Sequence, residues 1–302
     1  MKIGLIDVDG HNFPNLALMK ISSYHKINGD VVEWYSGLNY YDRVYMSKIF
    51  TYTPDYYYAI QADEIVKGGT GYKMNNDLFC ENVNPDYSLY PFNDKWYDGK
   101  TSYGFITRGC IRKCEWCIVP RKEGNIRPNK DIEDILEGNN KAILLDNNIL
   151  ACDYGLEQIE KIIKLKCKVD FNQGLDARLV TSDIAKMLSN VRYINHIRFA
   201  CDTMQAVSPL ISAIEKLNKV GVKNYRFFIY ALVKDVDEAN KRCETLKKLG
   251  VKVFAQPYIG FDDKIMPSDK QKHFARYVNH TATFKSTTWE KYKYRSNEHI
   301  IF

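Results

Sequence analysis

The sequence has no stretch approaching the roughly 18–20 consecutive apolar residues of a membrane-spanning helix. That excludes a span of this kind and any membrane partner that depends on one. Its opening, MKIGLIDVDGHNFP, lacks the long apolar core of a signal peptide and reads as a first β-strand, so a cytoplasmic location is expected. No internal repeat and no low-complexity tract is found. What remains is ordinary for a folded chain. Of 302 residues, 45% are hydrophobic and 26% charged, enough for one large α/β domain or a mid-sized domain with a smaller one.

A disulfide framework is also missing. Cytosolic thiols stay reduced, so eight cysteines need another explanation. Cys80, Cys152, Cys167, Cys201 and Cys243 are scattered, several in apolar strand-like or helical contexts, where a free cysteine acts as a small hydrophobe. Cys110, Cys114 and Cys117 fall together on one short segment.

The formal charge of +6 is uneven. Arg108–Lys130 is basic, and so is the tail from Lys264 to Phe302. The tail interleaves Lys270, Lys272, Arg276, Lys285, Lys291, Lys293 and Arg295 with Phe274, Tyr277, Phe284, Trp289, Tyr292 and Tyr294. Single-stranded nucleic acid asks for such a mixture, through phosphate contacts and base stacking. An amphipathic closing helix with a packed aromatic face has the same composition.

Periodicity divides the chain into four parts. Residues 1–72 form a small Rossmann-like α/β domain: KIGLIDV as a buried strand, a helix opened by Pro14 and ending near Asn28-Gly29, and short strands at Val31–Trp34, Val44–Met46 and Ile65–Val66. Residues 73–100 carry little pattern and read as a connecting segment. From 101 to 262 strands and helices alternate. The strands are YGFIT, KAILLD, KVDFN, HIRFA, YRFFIYALV and VKVFAQ; the helices lie near Asn129–Glu137, Leu156–Lys164, Thr181–Leu188, Met204–Val220 and Asp235–Leu249. Residues 263–302 are the basic, aromatic extension. The class is α/β, with the third part as a partial (β/α)6 barrel whose functional groups gather at the C-terminal strand ends.

The cysteine loop TRGCIRKCEWCIVPRKEG follows the first strand of that series. Three thiolates on one loop suit zinc or an iron–sulfur cluster. Structural zinc takes four protein ligands, and no Cys or His nearby supplies a fourth. A four-iron cluster held by three cysteines leaves one iron open, which favours catalysis over structure.

The spacing Cys-x3-Cys-x2-Cys with Trp116 before the last cysteine resembles the signature of the radical S-adenosylmethionine superfamily. The resemblance implies a [4Fe-4S] cluster on Cys110, Cys114 and Cys117, and S-adenosylmethionine chelated by the open iron. Reductive cleavage then gives a 5′-deoxyadenosyl radical. It also implies an external electron donor of flavodoxin or ferredoxin type. The wider loop is similar to those of methylthiotransferases and of cobalamin-domain radical enzymes. Asp146-Asn147-Asn148, at the second strand end, occupies the place where the family accepts the methionine amino group. Asn172, Gln173, Asp176 and Arg178 after the third strand, Asp202 after the fourth and Tyr230 in the fifth point to the same mouth. Trp116, Asn148, Gln173 and Asp202 are the cofactor-contact candidates there, although turn and helix capping would use Asp176 and Asp202 equally well.

The first domain resembles the cobalamin-binding domain of many radical enzymes. Asp9-Gly10-His11 copies the start of its motif, and Ser47 and Gly68-Gly69 stand at the later Ser and Gly-Gly places. Pro14 replaces the expected Gly and the spacings are compressed. Cobalamin is thus a further cofactor the resemblance implies, beside an empty Rossmann-like platform. The substrate class stays open, nucleic acid included, and no catalytic side chain beyond the cluster ligands is named. Methylthiotransfer is disfavoured, because Cys80 alone precedes the loop and no C-terminal RNA-binding β-barrel is evident. Three functions stand side by side: a radical enzyme of unassigned substrate, a cobalamin-dependent methyltransferase or tRNA-modifying variant of it, and a zinc-stabilised nucleic-acid-binding protein without catalysis.

Overall fold

A computed structural model describes residues 1–10, 13–73, 78–90, 99–261 and 265–292. The first unit is a parallel sheet of β1 (Lys2–Asp7), β2 (Val31–Trp34), β3 (Tyr41–Ser47) and β4 (Ala62–Gly68), with α1 (Leu16–Ile27) between β1 and β2. The strand order is β2-β1-β3-β4. Pro14 stands one residue outside the helix; Asn15 caps it, accepting from the Leu18 amide at 3.3 Å.

One sheet face buries Ile3, Leu5 and Tyr45 against Leu18, Met19 and Ile21 of α1. The other buries Ile6, Val44 and Met46 under an irregular layer containing Tyr35, Tyr56, Ile60 and Tyr72. A helix on each face, as in a doubly wound domain, is therefore not found among the described residues. Residues 78–90, expected as a connector, pack onto this unit. Cys80 and Leu89 join the α1 core, and Asp86 accepts from Ser22 and Lys26 at 2.6 Å each.

The remaining elements are β5 (Thr101–Gly104), β6 (Thr107–Arg108), α2 (Val119–Lys122), β7 (Arg127–Pro128), α3 (Ile132–Leu136), β8 (Lys141–Leu144), α4 (Asp153–Leu165), β9 (Lys168–Phe171), α5 (Ser182–Ser189), β10 (Arg192–Tyr193), β11 (Ile197–Ala200), α6 (Val207–Lys219), β12 (Phe227–Val233), α7 (Val236–Lys248), β13 (Lys252–Pro257), α8 (Asp269–Asn279) and α9 (Thr281–Ser286). The series expected from the sequence is present, as two parallel sheets ordered β10-β9-β8-β5 and β11-β12-β13. Among the described residues a single bridge, Leu175 to Phe199, joins them. The (β/α)6 expectation is thus met as a succession of parallel units, and no ladder among the described residues closes them into a barrel. Strand β11 meets the chain beyond the end of β9, while the short β10 takes the edge of β9 at its start.

Alternation fixes the two faces. In β12, Phe227, Ile229, Ala231 and Val233 are buried in the core with the helices, while Phe228, Tyr230 and Leu232 occupy the opposite, inner face. The last strand would leave an open edge. There the Asn279 side chain imitates a peptide group, accepting from the Ala255 amide at 2.7 Å and donating to its carbonyl at 2.9 Å.

Under the first turn of α7, Arg242 is fully buried. It donates to the carbonyls of Cys201 and of Leu232, the latter at 2.7 Å, and pairs with Glu238 at 2.7 Å. The Leu232 amide donates to Asp202 at 3.0 Å, so one arginine braces the strand ends that present this carboxylate. The described tail aromatics pack in or against the core. Phe274, Tyr277 and Phe284 are buried, with Trp289 and Tyr292 packed against them. These rings are engaged in packing, as an amphipathic closing helix requires; Lys293, Tyr294 and Arg295 lie outside the described residues. No described helix is long and apolar enough to cross a membrane.

Candidate metal centre

The cysteine loop hangs from a two-residue antiparallel hairpin in which Thr107 faces Pro128 and Arg108 faces Arg127. Gly109 takes φ +84°, and a Cβ there would lie 2.2 Å from the Asn125 carbonyl oxygen. Only glycine lets the returning strand pass so closely. The Cys110 amide then donates to Gly124 O at 3.2 Å.

Glu123 locks this closure. It accepts from the Gly109 amide and from Asn147 Nδ2, each at 2.9 Å, and pairs with Arg108 at 3.0 Å. Asp146, past the end of β8, anchors the root of the loop by accepting from the Ile106 amide at 3.2 Å and from the Thr107 amide and hydroxyl.

All three cysteines are free and half-buried. Cys110 Sγ accepts from the Arg112 amide at 3.3 Å and from Asn148 Nδ2 at 3.6 Å. The Cys117 amide donates to Cys114 O at 3.0 Å, turning the second and third ligands together. Burial pushes the Cys114 and Cys117 thiols up; Arg178 pulls the first back and the Val119 amide the second. Cys110 and Asp202 also push both up, Asp176 adds to this at Cys114 and Cys114 adds to it at Cys117, so three thiols and two carboxylates share one field.

Asp176 joins from the segment after β9. Arg112 Nε donates to it at 2.8 Å, Arg178 Nε at 2.7 Å and Asn148 Nδ2 at 3.3 Å. Burial pushes its carboxyl up, but Arg178 and Arg112 together outweigh that and hold it below the usual carboxylate range.

The donor set fits an iron–sulfur cluster. Three soft ligands share one loop with no fourth cysteine or histidine beside them among the described residues, and beside Cys110 the buried Asn148 Oδ1 has no hydrogen-bond partner. An unanswered acceptor at a half-built centre is a place for a ligand's N–H group. Among the described residues, no group of three His, Cys, Asp or Glu is arranged to hold a single ion. Thiolates that each hold a different iron need not meet that condition.

No family model and no curated protein matches the sequence. A structure of Streptococcus suis SuiB bound to precursor peptide SuiA is similar to this chain with a TM-score of 0.47 and 16% identity, over 62% of this chain and 46% of that one. A likeness of that order assigns neither family nor function. The chain spans less than half the length of that protein.

The other predicted residues are distributed as follows. Trp116 is half-buried, with Lys234 Nζ 5.7 Å from its ring; the same ammonium lies 5.3 Å from the Tyr258 ring, tying the loop to the end of β12. Asp202 is raised by burial against the pull of the Leu232 amide and Arg242. Gln173 is exposed and bonds nothing among the described residues. Tyr230 donates to Asn172 O at 3.0 Å and accepts from Arg198 at 2.9 Å on the inner face. Of the Asp146-Asn147-Asn148 triplet, only Asn148 reaches the cysteines; the first two brace the loop.

The described residues of the cobalamin-like pattern are engaged within their own unit. Ser47 is buried and takes a bond from Asn15 Nδ2 at 3.0 Å. Gly68 pairs with Ser47 in register, and a Cβ on Gly69 would meet Lys48 O at 2.3 Å, so their surroundings are filled by the chain itself. Asp9 caps the turn after β3, accepting from the Ile49 amide and from Thr53 Oγ1 at 2.7 Å. His11 lies outside the described residues. The first unit instead abuts the cysteine loop's surroundings: Thr51 Oγ1 donates to Phe261 O at 3.3 Å, and the Arg121 guanidinium sits 5.6 Å from the Phe261 ring.

Sequence reasoning missed Glu123 and Arg242. One clue was available for the first: Glu115 and Glu123 are the only acids in the basic Arg108–Lys130 segment. For Arg242, within a helix of alternating charge, nothing in the sequence marks it as buried.

Asp146 gives a pH prediction. Burial pushes its carboxyl up to about 6, against its bonds from Thr107 and Ile106. The unfolded carboxyl titrates near ~4, so between these values the folded chain holds the extra proton. Stability therefore falls as pH rises through that window, by up to about 3 kcal/mol. Urea unfolding across the window should show this decline in the wild type and a flatter curve in Asp146→Asn, which is less stable throughout because an amide N–H₂ then faces N–H donors. An equal slope in both proteins assigns the titration elsewhere.

Proposed function

We propose that the chain is a radical S-adenosylmethionine enzyme whose [4Fe-4S] cluster is held by Cys110, Cys114 and Cys117. The observation that carries this reading is the grouping of three free thiols with Asn148, Asp176 and Asp202, which come from three successive strand ends. When bound, the cluster would supply the electron that cleaves S-adenosylmethionine reductively.

The chain's own residues hold and shape the site. Gly109 and Glu123 close the loop, and the Arg112 amide and Asn148 Nδ2 stabilise the charge on Cys110 Sγ. Asn148 Oδ1 offers the free acceptor, while Arg178, bound to Asp176, keeps a cation beside Cys110 and Cys114. Because burial favours protonated Cys114 and Cys117, metal uptake releases protons and is weaker in acid.

The zinc-stabilised nucleic-acid reading loses support in the tail, where Phe274, Tyr277 and Phe284 are buried and Trp289 and Tyr292 are partly buried against them. Cobalamin-dependent methylation is not proposed, since Ser47, Gly68 and Gly69 are occupied within their own unit.

Anaerobic reconstitution tests the reading. Wild-type protein should take up iron and sulfide and release 5′-deoxyadenosine when given dithionite and S-adenosylmethionine; Cys114→Ala should do neither. Stoichiometric zinc with no iron uptake would falsify it.

A further inference from the structure

The starts of the parallel strands, at the opposite end from the cysteine loop, carry cations side by side. Lys168 opens β9, in register with Lys141 of β8 and Arg192 of β10. Register partners in parallel strands share a face, so three positive charges stand in one row. Lys252 opens β13, and Arg226 immediately precedes β12. His196, just before β11, is pushed down by burial and then by Lys252, Arg198 and Arg226, which places these cations around one ring.

Lys168, Arg192 and Lys252 are exposed, and none has an ion pair among the described residues. Asp170, the acid of this face, is already held by both arms of Arg198 at 2.6 Å. Like charges on neighbouring strands repel. An anion lying along the row would remove that cost.

Flat rings lie among the charges. Tyr225 is 72% exposed beside Arg226. Phe254, 39% exposed, stacks on Phe228 with centroids 5.9 Å apart and planes 25° apart, and the Lys252 ammonium lies 5.3 Å from the Phe228 ring. A cavity of about 330 Å³ opens at the same edge, lined in part by Tyr193, Lys223, Tyr225 and Arg226. Its size is that of a small-ligand pocket.

We propose that this edge binds single-stranded nucleic acid, with phosphates along Lys168, Arg192, Arg226 and Lys252 and bases against Tyr225 and Phe254. Cations supply sequence-independent attraction and rings supply stacking, the two components of such sites. An anionic membrane is the poorer match, because the exposed apolar partners are rings on strands and a loop, and membrane attachment uses an amphipathic helix face. The surface is separate from the cysteine loop, so it stands whether or not a cluster is held there.

The test is fluorescence anisotropy of a short labelled oligouridylate with the full chain, across a salt series. Four neutralised phosphates predict a log–log slope of about −3, at about −0.7 each. Lys168→Gln/Arg192→Gln/Lys252→Gln should reduce the slope to about −1 and weaken binding about tenfold or more. Lys270→Gln/Lys272→Gln, which alters tail cations paired with Asp237 and Asp269, should change neither. Cys114→Ala should bind like wild type, so failure here is distinguishable from failure of the cluster reading. The three substituted residues are exposed, and matching thermal melts establish that the variant is folded. Absence of salt-dependent binding overturns the proposal, as do an unchanged affinity in the triple variant and preferential binding to anionic phospholipid vesicles.

Discussion

Arg242→Ala is expected to destabilise the folded chain by about 3–5 kcal/mol. The side chain is fully buried, and its removal leaves the Cys201 and Leu232 carbonyls without their donor. Each buried polar group left unanswered costs about 1–3 kcal/mol, and the lost packing adds to it. Glu238, with its side chain about a third exposed, can turn to water, so the stranded carboxylate contributes little. Against a total stability of about 5–15 kcal/mol, the loss is large. Urea denaturation measures it. Arg242→Met, which restores most of the volume but no donors, should recover only the packing share. If Arg242→Ala lies within about 1 kcal/mol of wild type, the bracing role assigned to this arginine is wrong.

Gly109→Ala should abolish iron uptake while leaving the parallel sheets folded. The added methyl would stand 2.2 Å from Asn125 O and 2.8 Å from Gly124 O, both backbone atoms, on a residue at φ +84°. Neither oxygen can rotate away, so the returning limb of the loop must move. The Gly109 and Cys110 amides then lose Glu123 and Gly124. Because the loop carries all three thiols, this displacement separates the ligands, and the iron bound after reconstitution should fall to background. Far-ultraviolet circular dichroism should stay near that of wild type, since the two-residue hairpin bears none of the main core. Normal iron content in Gly109→Ala would show that the loop closes without this close approach.

Much of the fold was legible in the sequence, because the period of apolar residues is set by burial. FFIYALV alternates in β12 as a half-buried strand must, and α4 through α7 fall where their apolar spacing and caps place them. The cysteine loop was legible because soft-ligand spacing is local. The breaks in the pattern were less so. The 78–90 segment reads as polar and irregular, yet Cys80 and Leu89 are enough to attach it to α1 once Asp86 has bonded Ser22 and Lys26. Tail aromatics beside lysines fit both stacking on a ligand and packing in a core, and only tertiary contact separates the two. Asn148 and Asp146 lie two positions apart on one strand end, and their different fates depend on neighbours about forty residues distant.

The amide of Asn279 has a consequence for assembly. By answering both main-chain groups of Ala255, it ends the second sheet with a side chain where another strand could otherwise begin. Concentrated protein therefore has no template at that position for copy-to-copy strand pairing. A guest segment cannot extend the ladder there, and must be recognised by its own side chains, bases or charges against the inner face.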